Sequence, residues 1–577
     1  SVSISVQNNS ASNVSGDLSG GITLTSFKTA TLTNNDTDAA AYVGAISASG
    51  TDFTIASGTS GFIESSTIAI GSGTLYISGT GPVNLGTQVT ATQVSGASSS
   101  GVITIGLAGA ATVGSVITGS GADVITLNGA RTSGDYTIST GSGADSLTIS
   151  FVEGFSWNGG LGYDTLKMNS TFDLTGQTVS LTSVDAISLD TGNDGTESLT
   201  ITAAQFNTNT TFTLLGGGTS ADNLIVKGSD DADTINASAV SVEVGEAYLT
   251  LNGNSGADII TGSEFADRID GGPGADVMSG GNLQDIYYFD SSDVVSGESI
   301  FEASTGTGDD TVSVVTSTDF STMTAASFDE IEIITLAASQ TATFTGAQLT
   351  GEAISLTAQS ATTESILVSI GSGETFISGL TAGTNVNAIY YTGTSGDEVI
   401  TGGALTETIT GNSGNDVLTG GGGNDTFVFS TSSGNGIDSI YFGVVNGSTV
   451  DDILDFTAND AFIGTSTESR GIFAETDVTS SGSGIAGDAA NQNILFLTGD
   501  YFADAATLAA ATTVFSAVGA GNVLIVYAGS SSDHARIAVC ALSAGGDVTS
   551  ATDVAILVGV TVVEASTGLT STNFTLN

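Results

Sequence analysis

Apolar and polar residues alternate with a period of two along most of the chain, in short runs broken by glycine, serine, asparagine and aspartate. Segments such as SVSISVQ, GITLTSF, TDFTIAS, STIAIGS and TLYISGT before residue 115, and ESLTIT and EIEIITL further on, turn one face to a core and the other to solvent. That pattern predicts short half-buried strands joined by tight turns. Only DAATLAAATTVFSAV (504–518) reads as a helix. Glycine, threonine, serine, alanine, valine and isoleucine dominate and there are 2 prolines, so the fold class is all-β. In residues 1–115 turn signals recur at short intervals, as in two packed antiparallel sheets, and an immunoglobulin-like β-sandwich is expected there.

Two stretches replace simple alternation with a nine-residue period. Residues 253–288 read GNSGADIIT, GSEFADRID, GGPGADVMS and GGNLQDIYY; residues 393–428 read GTSGDEVIT, GGALTETIT, GNSGNDVLT and GGGGNDTFV. Both fit G-G-x-G-x-D-x-U-x, where U is apolar, a calcium-binding solenoid code. Glycines permit the left-handed turn, the acid at the sixth position supplies a hard oxygen ligand, and the apolar eighth position points inward from a short strand. With two blocks per coil, block 1 stacks on block 3 and block 2 on block 4. The expected calcium-ligand pairs are Asp258 with Asp276, Asp267 with Asp285, Glu398 with Asp416, and Glu407 with Asp425. Phe265 and Leu283 stand where the other two blocks of the first array carry a turn glycine, which costs left-handed backbone and predicts a weak or metal-free edge at Asp267 and Asp285. In the second array Glu398 and Glu407 are one methylene longer and Leu405 replaces a glycine, leaving the blocks of Asp416 and Asp425 best formed.

Single blocks lie around Asp123, Asp145, Asp164 and Asp310, and looser ones around Asp222 and Asp233. Each is either a further calcium loop or an Asp-Gly turn without metal. The middle of the chain is duplicated: SLTSVDAISLD (180–190) is echoed by ASFDEIEIITL (326–336), ITAAQF (201–206) by FTGAQL (344–349), and the first array by the second. The expected organisation is a sandwich over 1–115, solenoid units over 116–290 and 291–430, each parallel β-roll or β-helix and each ending in an array, and a C-terminal β-rich module over 431–577.

Charge narrows the function. The chain of 577 residues carries 60 Asp plus Glu against 7 Lys plus Arg, a net charge of −53, yet 40% of it is hydrophobic, so it is no disordered acidic tail. Such a charge opposes compaction unless cations offset it. Nucleic acid is excluded as a partner for want of a basic patch, and no apolar run is long enough for a transmembrane helix. A single histidine, His534, rules out a His-pair zinc site, and the Gly-rich loops carry Asp where a phosphate loop carries Lys. The lone Cys540 lies in the apolar run IAVCAL and reads as core. There is no G-x-S-x-G elbow. The residues therefore point to a protein that is not an enzyme.

The arrays resemble those of the RTX (repeats-in-toxin) family, and the resemblance implies a parallel β-roll that folds on Ca2+ after export by type I secretion. The tail DVAILVGVTVVEASTGLTSTNFTLN is similar to the secretion signals of such proteins. With no catalytic constellation and with Ser/Thr/Ala/Gly-rich strands throughout, the chain resembles surface-layer (S-layer) proteins of Gram-negative bacteria. That implies a subunit at the cell surface whose partners are copies of itself in a two-dimensional lattice and lipopolysaccharide reached through calcium. The alternatives are an RTX adhesin or biofilm matrix protein and a secreted polysaccharide-acting enzyme.

Overall fold

The computed structural model describes residues 2–6, 17–18, 22–34, 41–59, 61–64, 67–70, 73–86, 88–107, 113–129, 131, 134–189, 196–216, 222–243, 247–301, 308–359, 364–382, 388–429, 436–441, 452–456, 472–475, 494–501, 505–510, 521–528, 534–542, 548–558 and 574–575. They fall into two compact units, Ser1–Tyr287 with Phe301–Gly308, and Tyr288–Ile300 with Asp309–Asn577. Both units are built on a parallel β-solenoid.

In the first unit each strand pairs with the strand one coil later, in the same direction. One inward column runs Ala30, Phe53, Leu75, Val94, Val116, Ile138, Trp157, Leu181. A second runs Ile105, Ile125, Leu147, Leu166, Ile187, Leu214, Val242. Every one of these side chains is buried. Like-on-like stacking lets coils of different length share one core, because the strand register and not the loop sets the contact.

These columns correct the expected sandwich. Ile22–Asn34, Ile46–Ser57, Thr74–Gly79 and Gln93–Ser99 are strands where the alternation placed them, but they pair in parallel, and their column continues past residue 115 without a break. Alternation reports that a strand is buried on one face. It carries no information on the direction of the neighbour, which depends on whether the chain reverses in a hairpin or travels once round the coil.

The second unit repeats the plan. Phe344, Val368, Tyr391, Ile409, Phe427 and Leu454 stack in register. Phe320 stacks on Phe344 with ring centroids 5.0 Å apart, and Phe328 meets both rings edge-on. Toward the C-terminus the plan changes. Gly521–Ala528, His534–Leu542 and Val548–Val558 form an antiparallel meander, and Val548–Val558 pairs in parallel with the solenoid strand Asp438–Tyr441. Asp553 is buried there, held by Arg536 Nη1 at 2.7 Å, by the Tyr527 hydroxyl and by the Ala505 N–H at 3.1 Å. The helix expected over 504–518 is present as Ala505–Ala510; its remainder lies outside the described residues.

The duplicated motif forms two helices that the periodicity did not announce, Ala203–Phe206 and Gly346–Leu349, each one turn long. Each opens on a threonine, Thr202 or Thr345, in a capping box with a glutamine three residues on. The glutamine then reaches back one coil. Gln205 Nε2 donates to the Leu174 and Gln177 carbonyls at 2.8 and 2.6 Å, and Gln348 Nε2 to the Phe320 and Met323 carbonyls at 2.7 and 2.9 Å. A buried amide thus ties adjacent coils at equivalent places in both units. Gln348→Ala leaves two buried carbonyls without that donor, and the second unit is expected to lose about 1–3 kcal/mol, read as a lower urea midpoint with an unchanged slope.

Candidate metal centre

In both arrays, where the coil turns into a strand, an acid stands two residues before a buried apolar side chain. One carboxylate oxygen accepts the backbone N–H of the acid one coil earlier. In the first array Asp258 N–H donates to Asp276 Oδ1 at 2.7 Å and Asp267 N–H to Asp285 Oδ1 at 2.7 Å. In the second, Glu398 N–H donates to Asp416 Oδ1 at 2.8 Å and Glu407 N–H to Asp425 Oδ1 at 3.0 Å. These are the four pairs expected from two blocks per coil, each separated by 18 residues. The eighth-position residues Ile260, Ile269, Met278, Tyr287, Ile400, Ile409, Leu418 and Phe427 are all in the core.

That bond uses one oxygen. The other, Oδ2 in Asp258, Asp416 and Asp425 and Oε2 in Glu407, is buried and has no hydrogen-bond partner. The glycine opening each loop explains where it goes. A Cβ on Gly253 would overlap Asp258 Oδ2 and lie 2.5 Å from the carbonyl oxygen of Gly271, one coil on. A Cβ on Gly393 would lie 2.7 Å from Glu398 Oε2 and 2.6 Å from the Gly411 carbonyl. Carboxylate and carbonyl oxygens of successive coils therefore face a small space that only glycine leaves open.

Electrostatically this space calls for a cation. Burial pushes Asp276 and Asp416 up to about 6, and hydrogen bonds from the backbone only partly offset it. Burial likewise raises Asp258, Asp425 and Glu407, and the neighbouring Asp425 raises Glu407 further. An unpaired buried carboxylate is costly, and an all-oxygen set without nitrogen or sulfur suits a hard divalent ion. Among the described residues no three carboxylates gather at one point, so main-chain carbonyls would complete the coordination.

The blocks differ as their second residue differs. Ser263 bonds Asp267 through its N–H and hydroxyl, and Thr394 bonds Glu398 through its N–H at 3.0 Å and its hydroxyl at 2.7 Å. These two acids already have internal donors, and Asp267 sits at about 7, mainly through burial. Leu283 does take left-handed backbone, with φ 64°, where Gly256 in the first block has φ 138°; Phe265 is not among the positive-φ residues.

The single-block acids join ladders too. Asp123 N–H donates to Asp145 Oδ1 at 2.7 Å, Asp145 N–H to Asp164 Oδ1 at 2.9 Å, and Asp164 N–H to Asp185 Oδ2 at 2.9 Å. Asp233 leads into the first array, donating to Asp258 Oδ1 at 2.7 Å while its own carboxylate is bonded by Ser229. Asp222 accepts from Glu197 N–H at 2.9 Å, and Asp310 donates to Glu332 Oε2 at 2.7 Å; parts of their loops lie outside the described residues.

The nonapeptide template missed Asp185, Glu332, Asp438 and Asp452. The last two extend the second array by one coil, accepting from Asp416 and Asp425 N–H at 3.1 Å each, across 22 and 27 residues. Their loops are longer than nine residues. The surviving signal is the acid two places before a buried apolar residue: Asp438 before Ile440, Asp452 before Leu454, Asp185 before Ile187 and Glu332 before Ile334.

Residues 252–287 and 392–427 match the family model described as RTX calcium-binding nonapeptide repeat (4 copies). These two segments are thus RTX-type calcium-binding repeats set in a β-solenoid, and the ion such repeats bind is Ca2+. No curated protein and no solved structure matches the chain.

Gly411→Ala drives a methyl group onto Asp416 Oδ2 and is expected to weaken calcium binding by the second array roughly 10–100-fold, measured by titration calorimetry. Calcium-free protein should also respond to pH in an unusual direction. Asp276 and Asp416 rise from 3.8 to about 6 on folding, so the folded state holds more protons between those values. Their contribution favours folding at about pH 4 and is lost as pH rises through about 6. Chelated protein is therefore expected to melt at a higher temperature near pH 4 than near pH 7, and calcium-loaded protein to show the reverse, because protons then compete with the ion.

Proposed function

We propose that the chain is a secreted structural subunit that folds on calcium and self-assembles into a two-dimensional S-layer lattice at the cell surface. The observation that carries this reading is the run of buried carboxylate ladders in both units, in a protein of net charge −53. Asp258, Asp276, Asp285, Glu407, Asp416 and Asp425 are the proposed ligands. Asp267 and Glu398, already bonded by Ser263 and Thr394, are weaker ones. Where calcium is scarce the stacked acids repel one another. Where it is millimolar, as outside cells, binding supplies folding free energy and removes charge that would oppose contact between subunits. One heterologous contact repeated in a plane gives an open sheet rather than a closed oligomer. Anionic lipopolysaccharide would be reached through bridging calcium. Among the described residues no helix is long and apolar enough to cross a membrane.

A catalytic role has little to rest on. Cys540 is buried in an antiparallel strand, and burial pushes its thiol up to about 12, far from a reactive thiolate.

Electron microscopy of the purified chain tests the reading. Ordered sheets are expected in millimolar calcium and should disperse on chelation. Folded, dispersed monomers in calcium would overturn self-assembly by this chain alone and favour an adhesin whose ions serve only to fold it.

A further inference from the structure

The ladder of Asp123, Asp145, Asp164 and Asp185 lies outside both arrays. In Asp123, Asp145 and Asp164 one oxygen binds the preceding coil and the other, Oδ2, is buried; the hydroxyls of Thr118 and Thr140 bear on Asp123 and Asp145, whereas Asp164 Oδ2, like Oδ2 of Asp258 and Asp416, has no hydrogen-bond partner. The loops before Asp145 and Asp164 also have the same backbone shape, with φ 89° and 138° at Gly141 and Gly143 and φ 99° and 135° at Gly160 and Gly162. What separates the rungs is the residue that opens each loop: Thr118, Thr140 and Gly159.

The two threonines are buried, and their side chains fill the space that glycine leaves open in the arrays. Thr118 Oγ1 donates to the Thr140 carbonyl at 2.9 Å, and Thr140 Oγ1 to the Gly159 carbonyl at 2.8 Å. Each carbonyl that could have turned to an ion is satisfied by a hydroxyl proton. At Gly159 no side chain intervenes. A Cβ there would overlap the Ser183 carbonyl oxygen and lie 2.6 Å from Asp164 Oδ2. This is the arrangement at Gly253, where Asp258 Oδ2 and the Gly271 carbonyl face one gap. Asp164 is 0% exposed, so its free oxygen is shielded from bulk solvent.

We propose that the loop Gly159–Asp164 is a calcium site of its own, remote in sequence from both arrays, and that the rungs at Asp123 and Asp145 are metal-free because threonine hydroxyls stand where the cation would. The proposal rests on the calcium reading of the arrays and adds a rule to it. An acid in the ladder is necessary; the residue opening the loop decides whether the rung takes an ion or closes on itself. The N-terminal coils would then hold together without calcium, and the ion requirement would begin at Gly159.

The chain carries its own reporter. Trp157 is the only tryptophan. It lies on Phe155–Asn158, directly before the loop, and its Nε1 donates to Thr140 Oγ1 at 3.3 Å. Terbium is added to the chelated full-length chain, and its emission is excited through the indole. Strong tryptophan-sensitised emission is expected. Asp164→Asn, whose amide oxygen can still accept the Asp145 N–H, should abolish it and lower the calcium count in native mass spectrometry by one. Asp258→Asn should leave the emission intact. Thr140→Gly, which opens the preceding rung, should raise the count by one. Emission that survives Asp164→Asn, or is missing while the arrays still bind calcium, overturns the site. An unchanged count in Thr140→Gly overturns the threonine rule. If no calcium binds anywhere, the array reading fails, and this result is distinct from the other two.

Discussion

The structure depends on a single repeated bond, a buried carboxylate accepting the backbone N–H of the acid one coil before it. The bond does two things at once. It fixes where each coil's strand begins relative to its neighbour, and it commits one carboxylate oxygen to the backbone while leaving the other buried. A neutral acceptor would serve the first purpose. Only an acid leaves a charge that must be answered, and at Gly253, Gly393 and Gly159 a carbonyl oxygen of the next coil faces the same gap. The ladder is thus a structural element that is incomplete by itself, and this incompleteness couples folding to an ion.

The rest of the architecture follows. Because the ladder and the stacked apolar columns set the register, loop length is free to vary: the coil is 18 residues in the arrays and 19 to 27 elsewhere in the ladders. Loops can lengthen without disturbing the core, which is why residues such as Asp438 and Asp452 continue the second array although no nonapeptide surrounds them. The buried glutamines Gln205 and Gln348 fasten coils by a second, uncharged device. On the proposed reading, calcium holds the coils where acids face open glycine loops, and amides and hydroxyls hold them where they do not. The sandwich expected at the N-terminus gives way to the same logic, since Asn34, Ser57 and Ser99 are buried polar residues at the ends of strands of that column.

Charge makes the fold of this chain dependent on cations from its surroundings. Seven cationic side chains cannot offset sixty acids. Arg536 is used in the buried pair with Asp553, and Arg268 lies over the Tyr248 ring, 4.3 Å from its centroid. Calcium supplied by the surroundings answers the buried charge in the two arrays, and external salt screens the exposed remainder.

The sequence by itself determined the ion, the repeat period and which acids pair, because in the arrays spacing and chemistry coincide: nine residues, a turn glycine, an acid and an inward apolar residue repeat without interruption. It also determined where most strands lie, since burial on one face leaves a period of two. Strand direction was decided by tertiary structure, because a hairpin and a full coil impose the same alternation. So was the membership of Asp185, Glu332, Asp438 and Asp452 in the ladders, because hydrogen bonds between coils are blind to the length of the loop that separates them. The difference between Thr140 and Gly159 was visible as letters from the start. Its meaning depended on finding that the two residues hold equivalent positions in successive coils, one donating a hydroxyl to the carbonyl of the next coil and the other leaving that space open.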